Sequence, residues 1–113
     1  KTWNPAVEQM KEEQQYHGCA VVGDKVYAIG DHHPFSNPAI EATGLVQVYD
    51  ASAGNWSYGT SMPGNQSVGL AGVASQDGMI YVAGGVVSDD RSDSTARMLR
   101  YDRSTTRGRS WRT

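Results

Sequence analysis

The chain repeats itself at a period of fifty-odd residues, and that limits what it can fold into more than any single motif does. Trp stands at positions 3, 56 and 111, with gaps of 53 and 55. Met10 and Met62 are 52 apart, Tyr27 and Tyr81 are 54 apart with Gly30 and Gly84 at the same offset, and Tyr49-Asp50 and Tyr101-Asp102 are 52 apart. The landmarks keep one order: Met, a strand of small residues, Tyr-x-x-Gly, Tyr-Asp, Trp. Five landmarks in one order mark a repeated supersecondary unit whose copies bury their apolar faces against one another. Asp77-Gly78, just before the second Tyr strand, is read as the source of two extra residues in the second copy.

Each period reads as four short strands. In the first these are Gly18–Val22, Lys25–Gly30, Leu45–Asp50 and Asn55–Tyr58; in the second, Val68–Ser75, Met79–Gly84, Arg97–Asp102 and Ser110–Thr113. Gly23-Asp24 and Asp77-Gly78 are hairpin dipeptides between β runs. In Lys25–Gly30 both Val26/Ala28 and Tyr27/Ile29 are apolar, the pattern of a strand buried on both faces. Leu45–Asp50 alternates Val46 and Val48 against Gln47 and Tyr49. Composition agrees: Leu occurs only at 45, 70 and 99 while Gly occurs 13 times, which suits an all-β chain and not a helical bundle. Ala6–Gln15 places Val7 and Met10 three apart, but Gln14 breaks the stripe, and the segment reads as loop.

Four antiparallel strands per period describe one blade of a β-propeller. The second copy carries Met62-Pro63, Asp77-Gly78, Ile80-Tyr81-Val82-Ala83-Gly84-Gly85, Tyr101-Asp102 and Trp111, and on these residues the chain resembles the Kelch repeats, the family with a period near 50. The first copy departs once: Val26-Tyr27-Ala28-Ile29-Gly30 is followed by Asp31 where the family usually has a second Gly. Asp tolerates the left-handed backbone expected there better than most residues. The resemblance implies two Kelch-type blades, 16–58 and 68–113, with residues 1–4, bearing Trp3, as the outer strand of a preceding blade. The repeated Tyr and Trp are expected to pack between blades, each polar tip finding a partner at the blade edge. Two blades leave sheet faces uncovered, so the chain is expected to be part of a larger ring or to close one from several copies, three giving six blades and four giving eight.

Net charge is −2, which gives no global attraction to nucleic acid or anionic lipid, and neither is expected as a partner. The longest apolar run is about five residues, far short of the roughly 20 of a membrane-spanning helix. No basic stretch followed by an apolar run opens the chain, so no signal peptide is expected; a start at Lys1 fits a processed chain or a piece of a longer one. Cys19 stands alone, which excludes an intrachain disulfide and is compatible with a reducing cytoplasm. Charge is uneven: residues 97–113 hold six Arg against Asp102, while residues 1–96 hold four Lys and Arg against eleven Asp and Glu. A solvated face is the plain reading of that asymmetry, and head-to-tail contact of an acidic leading part with a basic trailing one is the functional reading.

Up-and-down topology puts the second-to-third-strand loops and the between-blade segments on one face. Those loops, Asp31–Gly44 and Gly85–Ala96, are long, and binding tends to live on such loops. The candidate ligand-binding residues are Asp31, His32, His33 and Phe35 in the first and Asp89, Asp90 and Arg91 in the second. A metal would want a third ligand at a recognised spacing, so neither a metal nor another cofactor is expected. His17 and Cys19 are two apart on one strand, but Cys19 takes the slot of Ala71 in the second copy and reads as a small core residue. The function expected is a binding module that holds a protein segment or a small polar ligand, with association to further blades or further copies, and more readily not an enzyme. The resemblance also implies an alternative, a sugar-related enzyme of the galactose oxidase or sialic-acid mutarotase kind, whose functional residues have no match at these positions. A non-autonomous segment of a longer propeller is a third. Gln14 and Gln66 stand where peptide-binding members of the family often have Arg, which disfavours acidic peptides.

Overall fold

A computed structural model describes residues 8–12, 14, 17–32, 42–63, 71–85, 95–102 and 110–112. It holds eight strands in chain order, β1 (Gly18–Val22), β2 (Lys25–His32), β3 (Ala42–Asp50), β4 (Asn55–Tyr58), β5 (Gly72–Gln76), β6 (Met79–Ala83), β7 (Met98–Asp102) and β8 (Ser110–Arg112). No helix occurs among the described residues. They form two four-stranded antiparallel meanders, β1-β2-β3-β4 and β5-β6-β7-β8.

The two sheets repeat one another in register as well as in order. Val22 pairs with Lys25 and Gln76 with Met79, so both first hairpins have two-residue turns. They reach the twist of their strands differently. Gly23 alone takes positive φ, 62°, the pattern of a type II′ turn, whereas Asp77 at 54° and Gly78 at 79° are both left-handed, the pattern of type I′. Since both turns have the same length, Asp77-Gly78 is not the source of the two extra residues. The insertion lies between Met62 and Gly72, a spacing of 10 against 8 from Met10 to Gly18. The same register corrects the slot of Cys19, which is equivalent to Val73 and not to Ala71.

β2 runs farther than the sequence suggests. The ladder shifts between Ile29 and Asp31, and Asp31 and His32 then pair with Thr43 and Ala42. Gly30 supplies the left-handed residue at this irregularity, φ 80°, so the second strand continues through it instead of ending there. Asp31 and His32 at one end of the loop expected over Asp31–Gly44, and residues 42–44 at the other, are therefore strand.

Alternation gives each sheet two unlike faces. The front face of the first sheet carries Gly18, Ala20, Tyr27, Ile29, Val46 and Val48. It packs on the back face of the second, which carries Val73, Ile80, Val82, Leu99, Tyr101 and Trp111, and Met62 is buried in the same core. Tyr27 and Tyr101 meet with ring centroids 6.1 Å apart, and Ser75 Oγ donates to Val21 O at 2.7 Å along the contact of β1 with β5. That contact is close because Gly18 has no side chain: a Cβ there would fall inside the Val73 side chain, 2.7 Å from its Cβ.

The β3–β4 turn is built on one carboxylate. Asp50 Oδ1 accepts from Ser52 Oγ at 2.7 Å, Ser52 N at 3.0 Å and Ala53 N at 3.1 Å, while Gly54 N donates to Asp50 O at 2.7 Å. Lys25 Nζ reaches Asp50 Oδ2 at 3.3 Å, and Ala51 N donates to Asp24 O at 2.8 Å, which ties this turn to the first hairpin. The Ser52 hydroxyl first, then the Ala53 N–H, holds the Asp50 carboxyl at about 2. The hydrogen bond to Asp50 first raises the pKa of Lys25.

Two outcomes follow. Gly18→Ala overpacks the β1/β5 contact and is expected to cost about 1–3 kcal/mol, read by urea unfolding followed by circular dichroism. The folded pKa of Asp50 lies below its unfolded value, so its contribution is present above about pH 4 and is lost as pH falls toward about 2. The melting temperature of the parent chain is therefore expected to drop more steeply across that window than that of Asp50→Asn.

Candidate functional site

The strand directions divide the connections between two ends. The β1–β2 and β3–β4 turns share one end, held together by the Ala51–Asp24 hydrogen bond. The β2–β3 connection, the β6–β7 connection and the crossing from β4 to β5 all leave from the other. At that end Asp31 and His32 close β2, their backbone paired to β3. Gly84 N donates to Arg97 O at 2.9 Å and Thr95 N to Gly85 O at 3.0 Å, which carries the β6–β7 ladder to the edge of the second connection. His33, Phe35, Asp89, Asp90 and Arg91 lie outside the described residues.

A second surface escaped the sequence reading. Residues 8–12 and 14 lie across the back face of the first sheet, and a cleft of about 460 Å³ opens there, lined by Glu8, Gln9, Met10, Glu12, Gln14 and Trp56. Three sets of hydrogen bonds hold the segment. Trp56 Nε1 donates to Glu8 O at 2.9 Å, and Trp56 N to Glu8 Oε1 at 3.1 Å. The Tyr58 hydroxyl donates to Glu12 Oε2 at 2.8 Å, and that bond is the first cause of its raised pKa. Gln47, fully buried, donates from Nε2 to Glu12 O at 2.9 Å and Gln14 Oε1 at 2.7 Å, and its Oε1 accepts from Glu12 N at 3.1 Å. Gln14 Nε2 in turn donates to Gly30 O at 2.7 Å, at the irregularity of β2.

The same hook recurs one repeat later. Trp111 Nε1 donates to Thr60 O at 2.7 Å, and Thr60 stands two residues before Met62 as Glu8 stands two before Met10. Tyr49 stacks on Trp56 at 5.3 Å and 51°, and Tyr101 on Trp111 at 4.9 Å and 43°. The polar tip of each Trp therefore meets the backbone of the strap that leads into its own sheet. The recurrence of Met at an offset of 52 and of Trp at 55 was the sequence signal for this arrangement. The Gln47–Gln14 pair had none, because Gln47 falls at the slot of Leu99.

Cys19 is exposed, contrary to the expectation of a core residue, because β1 alternation turns it to the back face, which no sheet covers. The His17 Nδ1 atom is buried without a hydrogen-bond partner. Among the described residues no three His, Cys, Asp or Glu side chains are grouped as metal ligands. What the back face offers chemically is an aromatic indole beside two carboxylates, a setting for a cation.

Gln47→Leu places in the first sheet the residue that the second sheet has. It takes their Gln47 partner from the Glu12 N–H and C=O and from Gln14 Oε1, at a cost of about 1–3 kcal/mol. Faster hydrogen exchange at Glu12, with β1–β3 still protected, is the expected result by mass spectrometry or NMR.

No protein-family model matches the chain. The Kelch-like protein terF of Aspergillus terreus is 32% identical to it over 94 residues, which is 81% of this chain. The chain spans 20% of that relative's length. The same landmarks repeat in two four-stranded antiparallel meanders, and along most of its length the chain is similar to this Kelch-like protein.

Proposed function

We propose that the chain is a Kelch-repeat protein-interaction module. In this reading each four-stranded sheet is one blade of a β-propeller, with units at 16–58 and 68–113, and a protein segment or small polar ligand is held at the end where the long connections gather. The observation that carries the reading is the common exit of the β2–β3 and β6–β7 connections and the β4–β5 crossing at one end of the two stacked sheets. Short hairpins close the other end, so the variable chain length is concentrated where a ligand would meet it. The likeness to a Kelch-like protein of Aspergillus supports such a role.

Asp31 and His32, whose backbone pairs with β3, form the base of the proposed site, and His33, Phe35, Asp89, Asp90 and Arg91 are proposed as its further ligand-binding residues. The test is selection from a displayed peptide library on the 113-residue chain, followed by affinity measurement on variants. His33→Ala with Phe35→Ala, and separately Asp89→Asn with Asp90→Asn, are each expected to weaken the selected peptide at least tenfold, about 1.4 kcal/mol, with the melt unchanged. Peptides whose affinity ignores both pairs overturn the proposed site. Turnover of free sugars, with or without copper, overturns the reading of a non-catalytic module.

A further inference from the structure

We propose that the front face of the second sheet is a docking surface for the back face of the first sheet of another copy of this chain, a head-to-tail contact. The inference rests on the reading of each sheet as one blade, and it starts from a glycine that the single chain does not explain. Gly72 lies in β5, exposed, and a Cβ built on it would meet only Ala83 O at 3.8 Å. Glycine inside a strand weakens it and often marks close approach of another chain segment. Its equivalent in the first sheet, Gly18, shows such an approach, since the Val73 side chain occupies the place of its missing Cβ. By the same register, the residue that would press on Gly72 is the equivalent of Val73, which is Cys19.

The two outward faces are related as the two packed faces are. The front of the second sheet carries Gly72, Ala74, Tyr81, Ala83, Met98 and Arg100, in the places that Gly18, Ala20, Tyr27, Ile29, Val46 and Val48 take in the packed core. Met98 is 53% exposed and, on the opposite outward face, Val21 is 59% exposed. Tyr81 would meet Tyr49 as Tyr27 meets Tyr101. One substitution in the set reverses chemistry: Arg100 replaces Val48, and its Nε is buried without a hydrogen-bond partner. Val48 shares the core with Tyr101 and Trp111, so the equivalent place for Arg100 is beside Tyr49 and Trp56 of the second copy. There the cleft presents an indole and the carboxylates of Glu8 and Glu12. A guanidinium between an aromatic face and carboxylates is well accommodated. The wider charge pattern points the same way, six Arg in residues 97–113 against the acidic excess of residues 1–96. Because the two faces differ, the contact is heterologous, and it extends to a ring or an open chain of copies.

Cys19, the sole cysteine, reports on the contact directly. Light scattering on a sizing column is run across a concentration series of the 113-residue chain, with the rate of Cys19 modification by an aromatic disulfide measured on the same samples. The expected result is a mass that rises through multiples of 12.2 kDa, and a Cys19 rate that falls roughly tenfold once nine-tenths of the chain is associated. Gly72→Val is expected to hold the chain at single-copy mass with Cys19 fully reactive and the melt of the dilute parent retained. Arg100→Glu is expected to weaken association, and so is added salt. Single-copy mass at every concentration with Cys19 open overturns the proposal, and so does an association that leaves Cys19 open or survives Gly72→Val. If Gly18→Ala still carries its penalty in a single-copy chain, self-association fails while the stacking of the two sheets stands. If that penalty is missing, it is the blade reading that fails.

Discussion

The approach of β1 to β5 is the contact on which the rest of the structure depends. Two sheets stack stably only when their side chains interdigitate without voids. Here the distance between them is set where Gly18 admits Val73. From that distance follow the tilted contact of Tyr27 with Tyr101, the bond from Ser75 to the Val21 carbonyl, and the space that Met62 fills. A larger residue at position 18 would push all of these apart at once, since a packed core does not absorb a misplaced methyl locally.

The differences between the two sheets follow from what each face meets. Leu99 faces the opposite sheet and is apolar; Gln47, at the same slot, faces a polar strap and supplies both donors and an acceptor to it. Lys25 pairs with Asp50 beside the first hairpin, whereas Met79 takes the Lys25 position in the second sheet, and there Asp102 is buried. Such pairs show that the repeat fixes backbone and register, while the side chains answer to their own surroundings. The turns show the same: one hairpin bends through glycine first, the other through aspartate and glycine, and both give two-residue loops.

Much of the architecture was legible because strand period and landmark spacing are backbone properties. Gly18–Val22 and Asn55–Tyr58 are found at the limits read from the sequence, bounded by Gly-Asp and by the four-residue turn on Asp50. The extension of β2 to His32 was not legible, because a glycine followed by aspartate and histidine reads as a strand end unless the ladder beyond it is seen. The misplaced slot of Cys19 has the same origin: an insertion lying between Met62 and Gly72 shifts the alignment of the small-residue strands, and only pairing resolves it. Of the candidate site, topology could be inferred from strand count. The acidic and aromatic cleft could not, because it joins Glu8 to Trp56 and Glu12 to Tyr58 across more than forty residues, through bonds that leave no pattern in composition.

The strap after β4 has a consequence for what counts as a unit. Gly59 N and Met62 N donate to Val46 O and Gly44 O, each at 2.9 Å, which sews the strap along β3 of the first sheet. Between them Thr60 O receives the indole of the second. By sequence the strap ends one repeat; by its bonds it belongs to both. The mechanical unit is therefore out of phase with the sequence repeat, much as a tongue cut on one board is held by the groove of the next. Boundaries drawn at the strand ends would sever the seam, so a segment meant to travel intact between proteins would carry the strap that precedes its first strand.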